Sequence, residues 1–256
     1  MTYSDAVVRK LNALTSEFYA REAASFSATR QSPWHGWEQA WNILATEDPA
    51  LAGRALTVLD TGCGNLRFEK FLVSKTHEPL SVYAFDNCPE LLGDAPAGTL
   101  VDFRPLDIVE AQMDGTFERQ MPRNACDLAV AFGLMHHLPT FTLRARMLQG
   151  LLEATRPGGF AVASFWQFMG DDRLAAKAEA ATAQGRAQLG LPPFAPGDYL
   201  LGWQQSSDAF RFCHHTTDGE IDALLRALSM PCREIARFSA DGKTDDLNRY
   251  IVLQRL

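Results

Sequence analysis

The segment Val58-Leu59-Asp60-Thr61-Gly62-Cys63-Gly64-Asn65 constrains this chain more than any other. A short β-rich run ends there in two closely spaced glycines, and a helical pattern begins near Leu66. Glycines at that spacing let a strand turn sharply into a helix, and open α/β sheets bind their ligands at such strand ends. A dinucleotide fingerprint needs a third glycine at position 67, where Arg67 stands, and seats a pyrophosphate at the helix start. Asp60 would repel a pyrophosphate and suits a ligand whose near end is cationic.

The rest of the chain fits a parallel sheet. Short β-rich runs at 56–60, 81–86, 100–104, 127–132 and 159–165 alternate with helical segments, and Leu143, Met147, Leu148 and Leu151 share one helical face between the last two. The runs are nearly continuous in apolar residues, as strands covered on both faces are. The fold class is therefore α/β, a Rossmann-like doubly wound sheet. Ahead of it, Val7, Leu11, Leu14 and Phe18, and then Trp34, Trp37, Trp41 and Leu44, recur at helical spacing, with Ser32 and Pro33 predicted as N-cap and first helical residue. The expected organisation is an N-terminal helical cap at 1–48, a cofactor-binding core at 49–169, a substrate-side insertion at 170–207 and a completion of the sheet at 208–256. The insertion carries an Ala-rich helix at 174–187 and a Pro-rich loop at 192–197. In the last segment Thr217 and Glu220 form a capping box, and strands near 232–238 and 249–254 flank an Asp241-Gly242 turn.

Composition narrows the function classes. The chain has 256 residues, of which 46% are hydrophobic, enough to bury a substantial core and to exclude a disordered class. Thirty-one acids against 24 bases leave a net charge of -7, so a broad basic surface for phosphates is missing and any RNA contact must be local or shared. The five cysteines, at 63, 88, 126, 213 and 232, show no Cys-x-x-Cys spacing. Neither a disulfide framework nor a metal site is expected, and a reducing, cytoplasmic setting fits. The longest apolar stretch, 128–135, is far too short to cross a bilayer, so no membrane role is expected.

S-adenosylmethionine, which pairs an ammonium with a sulfonium, matches the demand that Asp60 makes. Gly62, Cys63 and Gly64 form the turn around it. Asp86, ending the second strand with Asn87 beside it, can accept hydrogen bonds from two ribose hydroxyls. Asp107, next to Ile108, can accept from the adenine amino group, and Phe132 with Gly133 borders the methyl donor. The alternative is a set of tight turns and solvated acids in an unrelated Rossmann-type domain.

Through these residues the chain resembles the class I S-adenosylmethionine-dependent methyltransferases over about residues 50–256. The resemblance implies a seven-stranded sheet whose last strand is antiparallel; many members have glycine where Leu66 stands. Phe26-Ser27-Ala28-Thr29-Arg30-Gln31-Ser32-Pro33-Trp34 is similar to the N-terminal segment of the tRNA wobble-uridine carboxymethyl methyltransferases. So are Met135-His136-His137-Leu138, Arg211-Phe212-Cys213-His214 leading to Gly219-Glu220, and the segment at 197–203, where Gly202 replaces a proline. That family implies esterification of a carboxylate on a modified tRNA uridine, with S-adenosylhomocysteine as by-product. In some members it also implies a small zinc-containing activator subunit as partner.

Arg30 and Arg211 are then candidate clamps for the acceptor carboxylate or a phosphate, because a guanidinium fork binds either through parallel hydrogen bonds; ordinary surface ion pairs are the alternative. His136 or His137 can donate to the acceptor, or act as base if the acceptor is a hydroxyl or amine. The other is expected to be structural, since neighbours on an extended segment point to opposite faces. His214 is a candidate for orienting the acceptor, in competition with a role at the helix entry. Trp34 and Trp203 can stack on a base, Trp34 in competition with core packing. The rival functions are a small-molecule carboxyl, oxygen or nitrogen methyltransferase and a catalytically silent S-adenosylmethionine-binding protein.

Overall fold

The computed structural model describes residues 3–203 and 209–256; positions 204–208, where the predicted insertion meets the C-terminal segment, lie outside the described residues, as do Met1 and Thr2. Helices α1 (Asp5–Ala28) and α2 (His35–Glu47) precede strand β1 (Leu56–Thr61). The chain continues through α3 (Arg67–Val73), β2 (Leu80–Asp86), β3 (Thr99–Pro105), α4 (Ile108–Met113), α5 (Phe117–Gln120), β4 (Cys126–Ala131), α6 (Phe141–Ala154) and β5 (Thr155–Trp166). Then come α7 (Asp172–Leu189), β6 (Asp198–Leu201), β7 (Arg211–His214), α8 (Asp218–Arg226), β8 (Cys232–Ala240) and β9 (Asn248–Arg255).

Seven strands form one sheet in the order β3-β2-β1-β4-β5-β9-β8. Strands β1 to β5 are parallel, and β9 runs antiparallel to both of its neighbours. This is the expected doubly wound sheet. From β1 the chain winds outward through β2 and β3, then returns to the other side of β1 at β4, so the crevice of the switch point opens beyond the carboxyl ends of β1 and β4. All of β4 and nearly all of β1 is buried, because both faces are covered. One face packs on Ile108 of α4, Met147 and Leu151 of α6 and Leu224 of α8; the other packs on Trp37 and Trp41 of α2 and Phe68 and Phe71 of α3. Burying each such side chain contributes about 1.5–3 kcal/mol.

Two helix starts differ from the sequence expectation in an instructive way. Helix α2 begins at His35 with Trp34 extended at its N-cap, two residues after the predicted Ser32-Pro33 start. The cap comes from elsewhere: the Gly36 N–H donates to Asp241 Oδ1 at 3.0 Å, from the turn between β8 and β9. Helix and sheet approach so closely here that a Cβ on Gly36 would lie 2.2 Å from the Tyr250 ring. At α8 half of the capping box is present. Thr217 Oγ1 accepts from the Glu220 N–H at 3.2 Å, while the Glu220 carboxylate turns away to His214 and Arg144.

Strands β6 and β7 pair antiparallel, apart from the main sheet. The stretch Arg211–His214 therefore joins the insertion instead of extending the seven-stranded sheet. Leu11 of α1 clusters with Leu191, Leu200, Phe210 and Phe212, so the N-terminal helix and the inserted segment pack together over the crevice. No helix among the described residues is long and apolar enough to cross a membrane.

Candidate active site

One cleft collects all of the expected cofactor residues. Asp60, Gly62, Cys63, Gly64, Asp86, Asn87, Asp107, Ile108 and Phe132 all line it. The glycines are demanded by geometry: Gly62 and Gly64 take φ of 79° and 51°, a left-handed backbone that side chains disfavour. The turn is pinned by the Gly62 and Cys63 N–H groups, which donate to the Phe85 carbonyl at 2.7 and 3.1 Å. Leu66 also sits at φ 57°, the conformation that glycine would adopt without strain, and its buried side chain anchors it in the core. Burial pushes the Cys63 thiol up, so it stays protonated and unreactive.

Asp86 closes the loop. Its Oδ2 accepts from the Gly64 N–H and its Oδ1 from the Cys88 N–H, both at 2.9 Å. Each carboxylate oxygen keeps a second acceptor site for a ribose hydroxyl. Asp107 has a structural duty as well, since its Oδ1 caps α4 by accepting from the Glu110 N–H at 3.0 Å and its Oδ2 accepts from Asn12 Nδ2 at 2.8 Å. Asn87 Nδ2 donates to Ser16 Oγ at 2.8 Å. Helix α1 is thereby stitched to this wall of the cleft through two side chains. Phe132 packs against Phe68 at 4.8 Å and Trp37 at 5.7 Å, as a wall.

Asp60 is the residue that tests the ligand. Only 2% exposed, it has an oxygen, Oδ1, without a donor among the described residues. Burial first, and then the neighbouring Glu69, raise its carboxyl well above the usual carboxylate range. An orphaned acceptor on the wall of a cleft wants a donor from the ligand, and an ammonium group fits where a pyrophosphate does not.

At the other end of the cleft lies His137. Its Nδ1 is 2.7 Å from the Phe212 carbonyl, which can only accept, so Nδ1 carries the proton. Burial, followed by the charge of Arg211, lowers its pKa to about 3, so the ring is neutral and Nε2 accepts from the Tyr19 hydroxyl at 2.9 Å. Tyr19 is itself raised to about 12 by burial and keeps its proton. The expectation that His136 and His137 point to opposite faces fails. The segment Met135–His137 is a single 3-10 turn, which places the two rings 4.0 Å apart. His136 lies behind the lining with Nδ1 unpartnered, its pKa driven well below the usual value by burial and then by His137.

The two candidate arginines meet at Trp203. Arg30 lines the cleft, with its guanidinium 4.5 Å from the Phe26 ring and 5.4 Å from the Trp203 ring. Arg211 is one layer behind, 4.5 Å over Phe18 and 5.8 Å from Trp203. Arg30 Nη1 donates to Thr29 Oγ1 and Arg211 Nη1 to the Gly202 carbonyl; no carboxylate pairs with either among the described residues. Trp203 Nε1 donates to Ser25 Oγ, which holds the ring between them. The nitrogens of His136 and His137 and the Cys213 sulfur come within 4.8 Å of one another, yet Arg211 lies close enough to all three to shift their titration, and its positive charge opposes a cation there.

His214 stands apart from the cleft. It is 3% exposed, with Nδ1 2.5 Å from Asp198 and Nε2 2.7 Å from Glu220, inside a buried ion network. Its competing role beside the helix entry is the one its partners describe. Arg67, read in the sequence only as the residue in place of a third glycine, packs on Trp34 and Trp37, and several other lining residues carried no signal: Asn12, Thr15 and Tyr19 on the inner face of α1. Their helical spacing marks only a buried face. Trp34 lines the cleft and also packs against the core.

Residues 59–163 match the methyltransferase domain family. This core is a methyltransferase domain. Among solved structures, the Burkholderia thailandensis 1,6-didemethyltoxoflavin N1-methyltransferase, bound to 1,6-didemethyltoxoflavin and S-adenosylhomocysteine, is 16% identical with a TM-score of 0.61 and covers 100% of this chain and 93% of its own. The N-methyltransferase NodS of Bradyrhizobium japonicum WM9, in complex with S-adenosylhomocysteine, is 15% identical with a TM-score of 0.54, covering 94% and 98%. A Methanosarcina mazei S-adenosylmethionine-dependent methyltransferase is 16% identical with a TM-score of 0.54, covering 79% and 93%. At these identities the likeness is one of fold. No curated protein matches the sequence. The methyltransferase domain spans the Asp60 loop, Asp86, Asp107 and the histidine turn, while α1, Arg30 and Arg211 belong to the cap outside it.

Proposed function

We propose that this S-adenosylmethionine-dependent methyltransferase esterifies a carboxylate, with the carboxylate of a modified tRNA wobble uridine as the first candidate acceptor. The observation that carries the reading is the pair Arg30 and Arg211, packed on one tryptophan without an acidic partner among the described residues. Two guanidinium groups held on aromatic rings keep positive charge for a ligand to neutralise, and the planar fork of Arg30 suits a carboxylate. The histidines support the same reading. An amine or hydroxyl acceptor wants a base that titrates near the working pH, whereas His137 is held at about 3 with Nε2 occupied by Tyr19. A carboxylate is already a nucleophile and needs no base.

Bound S-adenosylmethionine supplies an electrophilic methyl group on a sulfonium sulfur. Asp60 receives its ammonium end, Asp86 its ribose, and Phe132 walls the site. Arg30 holds the acceptor carboxylate, Arg211 adds positive potential from behind, and Trp203 offers a face on which a uracil ring can stack. The net charge of -7 limits the grip on tRNA phosphates to local contacts. A basic partner such as the small activator subunit implied by the resemblance would supply the remainder. A small carboxylic acid is the second acceptor class, favoured by that same acidic balance.

The test is incubation with methyl-labelled S-adenosylmethionine and total tRNA, with and without nuclease, beside a panel of small acids. Base-labile label in a modified uridine supports the reading, and base-labile label only in small acids moves the acceptor to the second class. Base-stable label overturns esterification. Arg30→Ala is expected to lower acceptor turnover about 10- to 100-fold, the cost of one charged hydrogen bond, with affinity for S-adenosylhomocysteine unchanged by calorimetry.

A further inference from the structure

Asn12 lies within α1 on the wall of the cleft and is only 7% exposed. Asparagine is a weak helix former and is seldom buried without partners, so its place here asks for a reason. Half of that reason is Asp107. Asn12 Nδ2 donates to Asp107 Oδ2 at 2.8 Å, and because a carboxylate only accepts, the orientation of the amide is fixed. Asn12 Oδ1 is thereby turned away from Asp107. It meets no donor among the described residues, yet it is not sealed from the cleft. Its polar neighbours on α1 are committed elsewhere. Thr15 Oγ1 donates to the Leu11 carbonyl and accepts from the Phe212 N–H, while Ser16 Oγ donates to the Asn12 carbonyl and accepts from Asn87. The cleft thus holds two acceptors side by side, Asn12 Oδ1 and the remaining acceptor site of Asp107 Oδ2, with apolar Leu106 and Ile108 flanking them on the same wall.

We propose that Asn12 is a cofactor-binding residue supplied by the cap, taking one hydrogen of the adenine amino group while Asp107 takes the other. The inference rests on the assignment of S-adenosylmethionine to this cleft with its adenine against Asp107. An exocyclic amino group carries two N–H bonds that diverge in the plane of the ring, and adjacent acceptors on two different elements satisfy both. Asp107 alone takes one and leaves the other hydrogen unused. A ring with a carbonyl at that position sets a third acceptor against these two, so the pair selects adenine over its deaminated counterpart. Part of cofactor recognition then comes from outside the matched domain, which begins at residue 59, and α1 contacts the cofactor as well as the core.

The experiment is calorimetry with S-adenosylhomocysteine, with its derivative methylated once on the adenine amino group, and with S-inosylhomocysteine, which has a carbonyl there instead. In the wild type the methylated derivative is expected to bind about 10- to 100-fold more weakly than S-adenosylhomocysteine, since one hydrogen bond is lost and a buried acceptor is left unpaired. In Asn12→Ala the methyl group occupies the vacated space, and the penalty is expected to shrink to within about threefold. Ser16→Ala removes the neighbouring bridge from α1 to Asn87 and is expected to keep the wild-type penalty, which separates recognition of the base from loosening of the helix. Asn12→Ser, whose hydroxyl can still donate to Asp107, gives the same readout should Asn12→Ala not fold. Equal affinity of the wild type for S-adenosylhomocysteine and its methylated derivative overturns the proposal, as does an undiminished penalty in a folded Asn12 variant or an equal shrinkage in Ser16→Ala. S-inosylhomocysteine binding as tightly as S-adenosylhomocysteine overturns the placement of adenine against Asp107. Failure of the wild type to take up S-adenosylhomocysteine at all overturns the cofactor assignment with it.

Discussion

Asp86 does two jobs with one carboxylate: it accepts the N–H groups of Gly64 and Cys88, which hold the loop in shape, and it presents its remaining acceptor sites to the cleft. Removing it leaves loop donors and, under the proposed assignment, a ribose without partners, so Asp86→Ala is expected to weaken S-adenosylhomocysteine binding by about 1–3 kcal/mol. Calorimetry showing unchanged affinity would remove Asp86 from the ribose site. Leu66 shows how a single position balances opposed demands. Its φ of 57° costs roughly 1–2 kcal/mol for a side chain, yet Leu66 is 1% exposed in the core against α3, where truncating a leucine to alanine costs roughly 2–5 kcal/mol. Packing wins. Leu66→Gly is therefore expected to lower stability by about 1–3 kcal/mol in urea unfolding despite its relaxed backbone; a stabilised variant would show that the side chain contributes nothing there.

Between elements, a largely buried network around His214 ties β6, α6 and α8 together. Its imidazole bridges Asp198 of β6 and Glu220 of α8; Arg144 of α6 pairs with the same glutamate at 2.8 Å, and the Tyr3 hydroxyl donates to Asp198 at 2.7 Å. Burial alone would lower the pKa of His214, but the hydrogen bonds to Asp198 and Glu220 outweigh it and raise the value above the ordinary one. A raised folded pKa means that the stabilisation is fully present below the unfolded value of roughly 6.5 and is lost as pH rises through the folded value. Urea unfolding across that window is expected to show this loss in the wild type and to flatten in His214→Ala, which should cost about 1.5–3 kcal/mol below the window because, among the described residues, Asp198 keeps only the Tyr3 hydroxyl and Glu220 only Arg144. An equal pH slope in both proteins would exclude His214 as its source. The network also explains what the sequence could not convey. Strands β1 and β4 and most of β5 were legible because burial on both faces writes continuous apolar runs, and the glycine loop after β1 because its glycines have left-handed backbones. The start of α2 was not, since its cap, Asp241, is 205 positions away. His214 beside a capping box looked available because nothing local marks Asp198 and Arg144 as its neighbours. Nothing in the local sequence marks Glu69 as a buried acid; its burial comes from the packing of α3 on the sheet.

At the scale of the whole molecule, the cleft is a seam between the methyltransferase core and the cap that α1 and the inserted segment build together. The core supplies Asp60, Asp86, Asp107 and Phe132, while α1 supplies Asn12, Thr15, Tyr19 and Phe26 from the opposite side. Their bridges, Asn12 to Asp107, Ser16 to Asn87 and Tyr19 to His137, are single hydrogen bonds, each worth about 0.5–1.5 kcal/mol. A ligand seated in the seam touches both sides and adds to those bonds. At a concentration of 100 times Kd it stabilises the folded state by about 2.7 kcal/mol, and the gain must appear first where local opening is cheapest. Hydrogen exchange with saturating S-adenosylhomocysteine is therefore expected to slow in the loop at 60–66 and along α1 from Asn12 onward, with little change in β8, the far edge strand of the sheet. Protection confined to the loop, with α1 exchanging as in the free protein, would mean that the cap does not close on the cofactor and that its aromatic residues and Arg30 act on the acceptor alone.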